Sequence, residues 1–156
     1  MLKIAVITVS DRAYRGEYPD LSGPEIKRMI DGSDVNAEVS LNLVPDEEKE
    51  IRRAINQGIG ADYILTTGGT GLSFRDITPQ ISRDICDLEI PGISELLRRE
   101  SYRETGFAVF SRGFCGIKEK TIVINFPGSL KAVQLGTRLL LPLFEHGIKM
   151  VHGEGH

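Results

Sequence analysis

Thr66-Thr67-Gly68-Gly69-Thr70-Gly71-Leu72-Ser73-Phe74-Arg75-Asp76-Ile77-Thr78-Pro79 gathers into one stretch the group types needed to hold a phosphate. Gly68, Gly69 and Gly71 expose backbone N–H groups and allow positive φ, so a short loop here makes a concave nest for anionic oxygens. Thr67, Thr70 and Ser73 add hydroxyls, Arg75 a fixed positive charge, and Asp76 a carboxylate able to ligate a metal. Neither standard phosphate loop fits, because G-x-x-x-x-G-K-[ST] requires a lysine and G-x-G-x-x-G a different glycine spacing.

Three other places put polar residues at the end of an apolar run. Ser10-Asp11-Arg12 follows residues 3–9, Pro45-Asp46-Glu47-Glu48 follows residues 37–44, and Asn125-Phe126-Pro127-Gly128-Ser129-Leu130-Lys131 follows residues 121–124. Open α/β sheets bind ligands at the carboxyl ends of their strands. Each place also has a plainer reading: Ser10 and Asp11 as a turn, Asp46 as the N-cap of a helix with an acidic first turn, and 125–131 as an ordinary βα turn capped by Ser129. Asp46 can cap and ligate at once. His146, His152 and His156 all fall in a glycine-containing C-terminal stretch whose flexibility argues against a built metal site. Cys86 and Cys115 form no Cys-x-x-Cys and read as free thiols.

The elements that must position these groups follow from the apolar pattern. A chain of 156 residues, 40% hydrophobic and 26% charged, can bury the core of one globular domain without staples. A net charge of −3 with no basic run excludes extended contact with a nucleic-acid backbone. No apolar run approaches bilayer-spanning length, and Met1-Leu2-Lys3-Ile4 leads straight into a strand pattern. Neither membrane insertion nor a signal peptide is therefore expected, and the expected location is cytoplasmic. Continuous apolar runs at 3–9, 62–67 and 121–126 predict buried strands. Val39, Leu41 and Leu43, alternating with Ser40 and Asn42, predict a strand near a sheet edge. Residues 107–112 read as a further short strand followed by a loop at 113–116.

Between the strands, Ser22-x-x-Glu25 has the form of a capping box opening a helix to about Ile30, and Ile51, Ala54 and Ile55 make the stripe of a second. Thr78-Pro79 reads as N-cap and first-turn proline of a third, Pro91-Gly92 precedes a fourth, and Pro142 interrupts the helix that follows Ser129. Five strands interleaved with helices predict a single α/β domain over 1–156. It is a three-layer α/β/α sandwich with a mostly parallel sheet, and residues 145–156 form a flexible tail. In that architecture Ser10-Asp11, Asp46, the 67–76 loop, Ser111 and the 125–131 turn line one cleft. Its inventory holds no Ser/His/Asp triad and no cysteine–histidine pair, and it suits phosphoryl or nucleotidyl transfer, where the protein positions reactants and offsets charge. Mg²⁺ takes oxygen ligands and one or two carboxylates, which points to Asp46 and Asp76.

GGTG at 68–71 joined to RDxTP at 75–79 resembles the signature of the MogA/MoaB family of molybdenum-cofactor biosynthesis. The SDR at 10–12 followed by G-x-x-x-D-x-S-G-P through Pro24, the VPD at 44–46, and N-x-P-G-S-x-x-A at 125–132 extend the resemblance from Ile4 to about Leu143. Phe74 departs from it, standing where many relatives carry a smaller residue or proline. The resemblance implies a MogA/MoaB-like fold and a molybdopterin adenylyltransferase, moving AMP from ATP to the terminal phosphate of molybdopterin and releasing pyrophosphate. Asp46 and Asp76 would be catalytic, organising Mg²⁺ around the ATP phosphates. Ser101, Ser111 and Asn125 are carried over by their offsets from the RD aspartate and, with Ser129, would bond the pterin or its phosphate. Ser10, Asp11, Thr67, Gly68, Gly69, Thr70, Gly71, Arg75, Pro127, Gly128 and Lys131 complete the expected binding set. A homotrimer or hexamer is implied, as is hand-over of the product to a molybdate-inserting enzyme. Two alternatives stay open: a non-catalytic molybdopterin carrier or scaffold of the MoaB type, and another enzyme on the same domain type.

Overall fold

In the computed structural model, which describes residues 1–154, three strands buried on both faces form the centre of a six-stranded sheet. They are β1 (Leu2–Val9), β3 (Tyr63–Thr67) and β6 (Thr121–Phe126), whose β-branched runs suit strands covered on both sides. β1 pairs in parallel with β3, and β3 with β6, so that Val6 lies beside Leu65 and Leu65 beside Ile124. β2 (Ala37–Val44) adds to the outer side of β1 in parallel and forms one edge, as its half-polar pattern predicts. Beyond β6 the sheet turns antiparallel through β5 (Cys115–Lys118) and the two-residue β4 (Leu88–Glu89).

After β1 the chain makes one turn, α1 (Asp11–Tyr14), and alternate residues of the central strands face two separate cores. Ile4, Val6, Leu65, Ile124 and Phe126 pack with α2 (Ser22–Asp31), α5 (Pro91–Glu104) and α6 (Leu130–Leu140). Ile7, Val9, Ile64 and Val123 pack with α3 (Glu48–Gly58) and α4 (Thr78–Ile85). The result is the expected α/β/α sandwich with a mixed sheet, and its parallel half sends the ends of β1, β2, β3 and β6 to one side. Among the described residues no helix is long and apolar enough to cross a membrane.

Four local expectations are corrected. Residues 107–112 are not a strand: Gly106–Phe110 is a 3₁₀ turn, because the Thr105 hydroxyl accepts from Phe107 N and the next amides bond locally, Ala108 N to Thr105 O and Ser111 N to Ala108 O. The expected 113–116 loop ends early, since Cys115 already pairs with Ile124. Ser22 does not cap α2. The N-cap is Leu21, without a side-chain bond; Asp20 just before it accepts from Gly23 N at 3.2 Å and from the Thr8 hydroxyl at 2.7 Å, while Ser22 donates to the Gly128 carbonyl. Thr78 is the first residue of α4, behind Ile77 at the cap.

The expected tail is also largely folded. After α6, Pro142 sits in a 3₁₀ turn (Leu141–Leu143), and α7 (Phe144–Val151) buries Phe144 and Ile148. The Tyr63 hydroxyl donates to the Phe144 carbonyl at 2.8 Å and their rings meet edge to face at 4.7 Å. Residues 155 and 156 of that stretch lie outside the described residues. Phe144→Ala should therefore cost about 3–5 kcal/mol of stability in urea unfolding. A loss below about 0.5 kcal/mol, the surface value, would show that α7 is not part of the core.

Candidate functional site

Gly68 begins the turn after β3 at a point where three strand ends converge. Its φ is +99°, its N–H donates to the Phe126 carbonyl at 3.0 Å, and a Cβ added to it would run into the Val9 carbonyl. Gly128, in the turn after β6, comes so close that its own Cβ would lie 3.3 Å from Gly68 Cα. Gly69 also has positive φ, +70°, and a Cβ there would meet the Thr78 hydroxyl. The Thr67 hydroxyl donates to the Pro127 carbonyl at 2.9 Å, so the two glycine turns form one ridge.

The ridge divides the expected single cleft into two compartments. The larger has a volume of about 1220 Å³ and is lined by residues 68–71, Asp76, Ser101, Ser111 and residues 127–131. Leu72, Phe107 and Phe110 also wall it; sequence reasoning missed the two phenylalanines because it placed them in a strand. The smaller compartment, about 260 Å³, lies on the β1 side and takes in Ser10, Thr67 and Gly128 together with Thr8, Tyr18 and Asp20.

Beside the glycine turn sits a cluster of carboxylates. Asp11 N donates to Asp46 Oδ2 at 3.0 Å and Asp46 N donates to Asp11 Oδ1 at 2.9 Å, a reciprocal pair linking the ends of β1 and β2. Asp46 therefore does not cap α3, whose N-cap is Glu47 with no side-chain bond. Arg75 grips Asp11 with both arms of its fork, Nε to Oδ2 at 2.7 Å and Nη2 to Oδ1 at 3.0 Å. That bond holds the Asp11 carboxyl below the usual carboxylate range. Asp46 moves the other way: half-burial pushes its carboxyl up, and the charges of Asp11 and Asp76 add to the rise.

Asp46 approaches Gly69, its Oδ1 lying 3.3 Å from where a Cβ would stand, and Asp76 approaches Gly71 in the same sense, its Oδ2 at 2.8 Å. Asp76 Oδ2 accepts from Ser73 N at 3.0 Å. In both residues Oδ1 has no protein hydrogen-bond partner among the described residues. No group of three or more His, Cys, Asp and Glu gathers for a metal among those residues, so a cation here would draw on these two oxygens and on substrate. Two hard oxygen donors and a carboxylate whose charge is disfavoured fit Mg²⁺. The fully buried Thr78 hydroxyl beside Gly69, without a protein partner, adds another oxygen to that corner.

The remaining expected residues divide into those that face the cleft and those that build it. Ser101, Ser111 and the exposed Lys131 line it. Asn125 is turned into the sheet: its Oδ1 accepts from Phe114 N, and its Nδ2 donates to the Thr66 and Ser82 hydroxyls at 2.9 Å each. Every amide hydrogen is used, so Asn125 holds the strand ends together while also lining, with Ser101 and Ser111, a small pocket beside the cleft. Ser129 caps α6 through Ala132 N, and Ser10 accepts from Ala13 N beside the Tyr18 hydroxyl. Arg112, absent from the expected set, bonds the backbone of the 68–76 loop. Its partners lie 36 and 41 residues away, so nothing local in the sequence marks it.

The family model described as a probable molybdopterin binding domain matches residues 5–146. The chain is 38% identical over 154 residues to a protein of Pyrococcus furiosus named molybdopterin adenylyltransferase, the match covering 94% of this chain and 89% of that one. It is 35% identical over 153 residues to the molybdenum cofactor synthesis protein cinnamon of Drosophila melanogaster, where it spans only 26% of the longer protein. The solved structure of the molybdopterin biosynthesis enzyme MoaB from Thermus thermophilus superposes with a TM-score of 0.89 at 37% identity, over 98% of each chain.

The raised position of Asp46 gives a pH signature. Below its ordinary value of 3.8 both folded and unfolded carboxyls are protonated and no cost exists. As pH rises the unfolded group ionises first, and the folded state loses stability until Asp46 has also ionised. Asp46→Asn should raise the melting temperature of the metal-free protein at neutral pH, with the gain vanishing as pH falls to 3.8. Thermal melts of variant and parent at matched pH check this.

Proposed function

The chain belongs to the molybdopterin-binding domain family, and from that premise we propose that it is a molybdopterin adenylyltransferase, moving AMP from ATP to the terminal phosphate of molybdopterin. The observation that carries this is the placement of the two open carboxylates. Asp46 and Asp76 approach Gly69 and Gly71 on a backbone nest, with Asp76 on the wall of the larger compartment. A reaction that joins two phosphorylated molecules needs two chambers meeting at one phosphate site.

In this reading an oxygen of the pterin phosphate attacks the α-phosphorus of ATP, the bond to the β-phosphate breaks, and pyrophosphate leaves. Bringing two phosphate charges to 4 Å costs roughly 4 kcal/mol per unit pair at an effective dielectric near 20. Asp46 and Asp76 are the residues that would hold Mg²⁺, which when bound supplies the charge neutralisation and polarisation that phosphates require. The N–H groups of residues 69–71 hold phosphate oxygens, and Ser101, Ser111 and Lys131 hold the pterin side in the larger compartment. Fixing both reactants in one orientation supplies the rest.

The same reading includes a homotrimer, a cytoplasmic location and hand-over of the product to a molybdate-inserting enzyme. Phe107 and Val109, 82% and 62% exposed, offer apolar surface that an assembly would cover. Pyrophosphate release from ATP should require both molybdopterin and Mg²⁺, stop on chelation, and fall by about 100-fold or more in Asp46→Asn and in Asp76→Asn. Tight pterin binding by a parent protein that releases no pyrophosphate would leave a carrier in place of an enzyme.

A further inference from the structure

Arg112 follows Ser111 directly and spends its whole guanidinium on the 71–80 stretch. Nε donates to the Gly71 carbonyl at 2.9 Å, Nη2 to the Asp76 carbonyl, and Nη1 to Gln80 Oε1 at 3.0 Å. Its own backbone N–H donates to the Thr70 carbonyl at 3.0 Å. One residue thus joins both ends of the loop that carries Asp76, from the glycine nest to the first turn of α4. The other bonds on Asp76 are local: its N–H to the Ser73 carbonyl, and Ser73 N to its Oδ2. A loop of glycine, serine and threonine has no packing of its own to fix a carboxylate, and Leu72 and Phe74 are 66% and 89% exposed.

We propose that Arg112 is the positioning residue for Asp76, its planar fork setting the carboxylate against Gly71 and tying it to the Ser111 wall of the larger compartment. Lysine cannot replace it, because an ammonium carries no fixed fork spanning three acceptors. The consequence for catalysis rests on the adenylyltransferase reading; the consequence for the loop does not.

The test compares Arg112→Gln, Arg112→Lys, Asp76→Asn and the Arg112→Gln/Asp76→Asn double variant. At saturating Mg·ATP and molybdopterin, kcat for pyrophosphate release should fall about 100-fold in Arg112→Gln. Arg112→Lys should recover less than about tenfold of that. The double variant should be within about twofold of Asp76→Asn alone, since a residue acting only through Asp76 has nothing further to remove. Losses that multiply would overturn the proposal. Independently of activity, hydrogen exchange at Ser73 and Asp76 should quicken at least about tenfold in Arg112→Gln with β3 and β6 amides unchanged. An unchanged loop would equally overturn it. If the parent releases no pyrophosphate, the adenylyltransferase reading fails and the exchange result alone decides the role of Arg112.

Discussion

Gly68 leaves no room for a side chain, and the site depends on that. The Val9 carbonyl at the end of β1, the Phe126 carbonyl at the end of β6 and the Gly128 backbone all close on it. Three parallel strands in register bring their ends to the same height, and only a glycine with positive φ lets the chain leave β3 through so narrow a gap. The close approach makes two βα turns into one ridge. The ridge then separates the two compartments, and among the described residues the N–H groups of residues 69–71 donate to no backbone carbonyl. A side chain at this position would push the β1, β3 and β6 ends apart, and with them everything that depends on their spacing.

On that frame the charges are arranged unequally. Three carboxylates, Asp11, Asp46 and Asp76, come together in a region where like charges oppose one another. Arg75 neutralises Asp11 alone, with a bidentate grip that spans 64 residues of chain. At 44% exposure of the Arg75 side chain this pair adds little to global stability. Its effect is geometric: among the described residues Asp11 alone of the three has an ion-pair partner, while the charge of Asp46 is disfavoured first by burial and then by Asp11 and Asp76, with Arg75 offsetting part of this.

Much of this was legible in the sequence because it is local. The three central strands announce themselves as continuous apolar runs, β2 as a half-polar edge, the glycine nest as glycines, and the α6 cap as Ser129. What escaped is what depends on partners far along the chain. Phe107, Val109 and Phe110 have strand-forming side chains, yet Thr105 bends their backbone into a 3₁₀ turn and leaves them exposed. Asp20 and Ser22 both carry oxygens able to bond a helix start, and only the position of Thr8 and Gly128 decides that the aspartate accepts from Gly23 N while the serine reaches across to the turn after β6. The C-terminal stretch carries an apolar stripe of Phe144, Ile148 and Val151, but what docks it is Tyr63, whose ring meets that of Phe144 and whose hydroxyl bonds the Phe144 carbonyl. Asn125 sits where the resemblance expects a substrate contact, but Thr66 and Ser82 claim its amide.

Asn125, Arg75 and Arg112 together separate the groups that hold the site from the groups free to touch a ligand. All three are polar residues at or beside the cleft, and all three direct their polar atoms to the protein. Catalysis of phosphoryl transfer by positioning and electrostatics works only when the dipoles and charges are already oriented before substrate arrives, because reorienting them at the moment of reaction would consume the gain. A loop of small residues cannot supply that rigidity from packing, so it must come from hydrogen bonds that a ligand does not compete for. Guanidinium and amide groups committed to backbone carbonyls, hydroxyls and a neighbouring carboxylate meet that need. Ser101, Ser111, Lys131, Gly69 and Gly71 are left lining the larger compartment. The strong hydrogen-bonding residues are thus largely spent on the frame, and the weaker, more adaptable ones face the cleft.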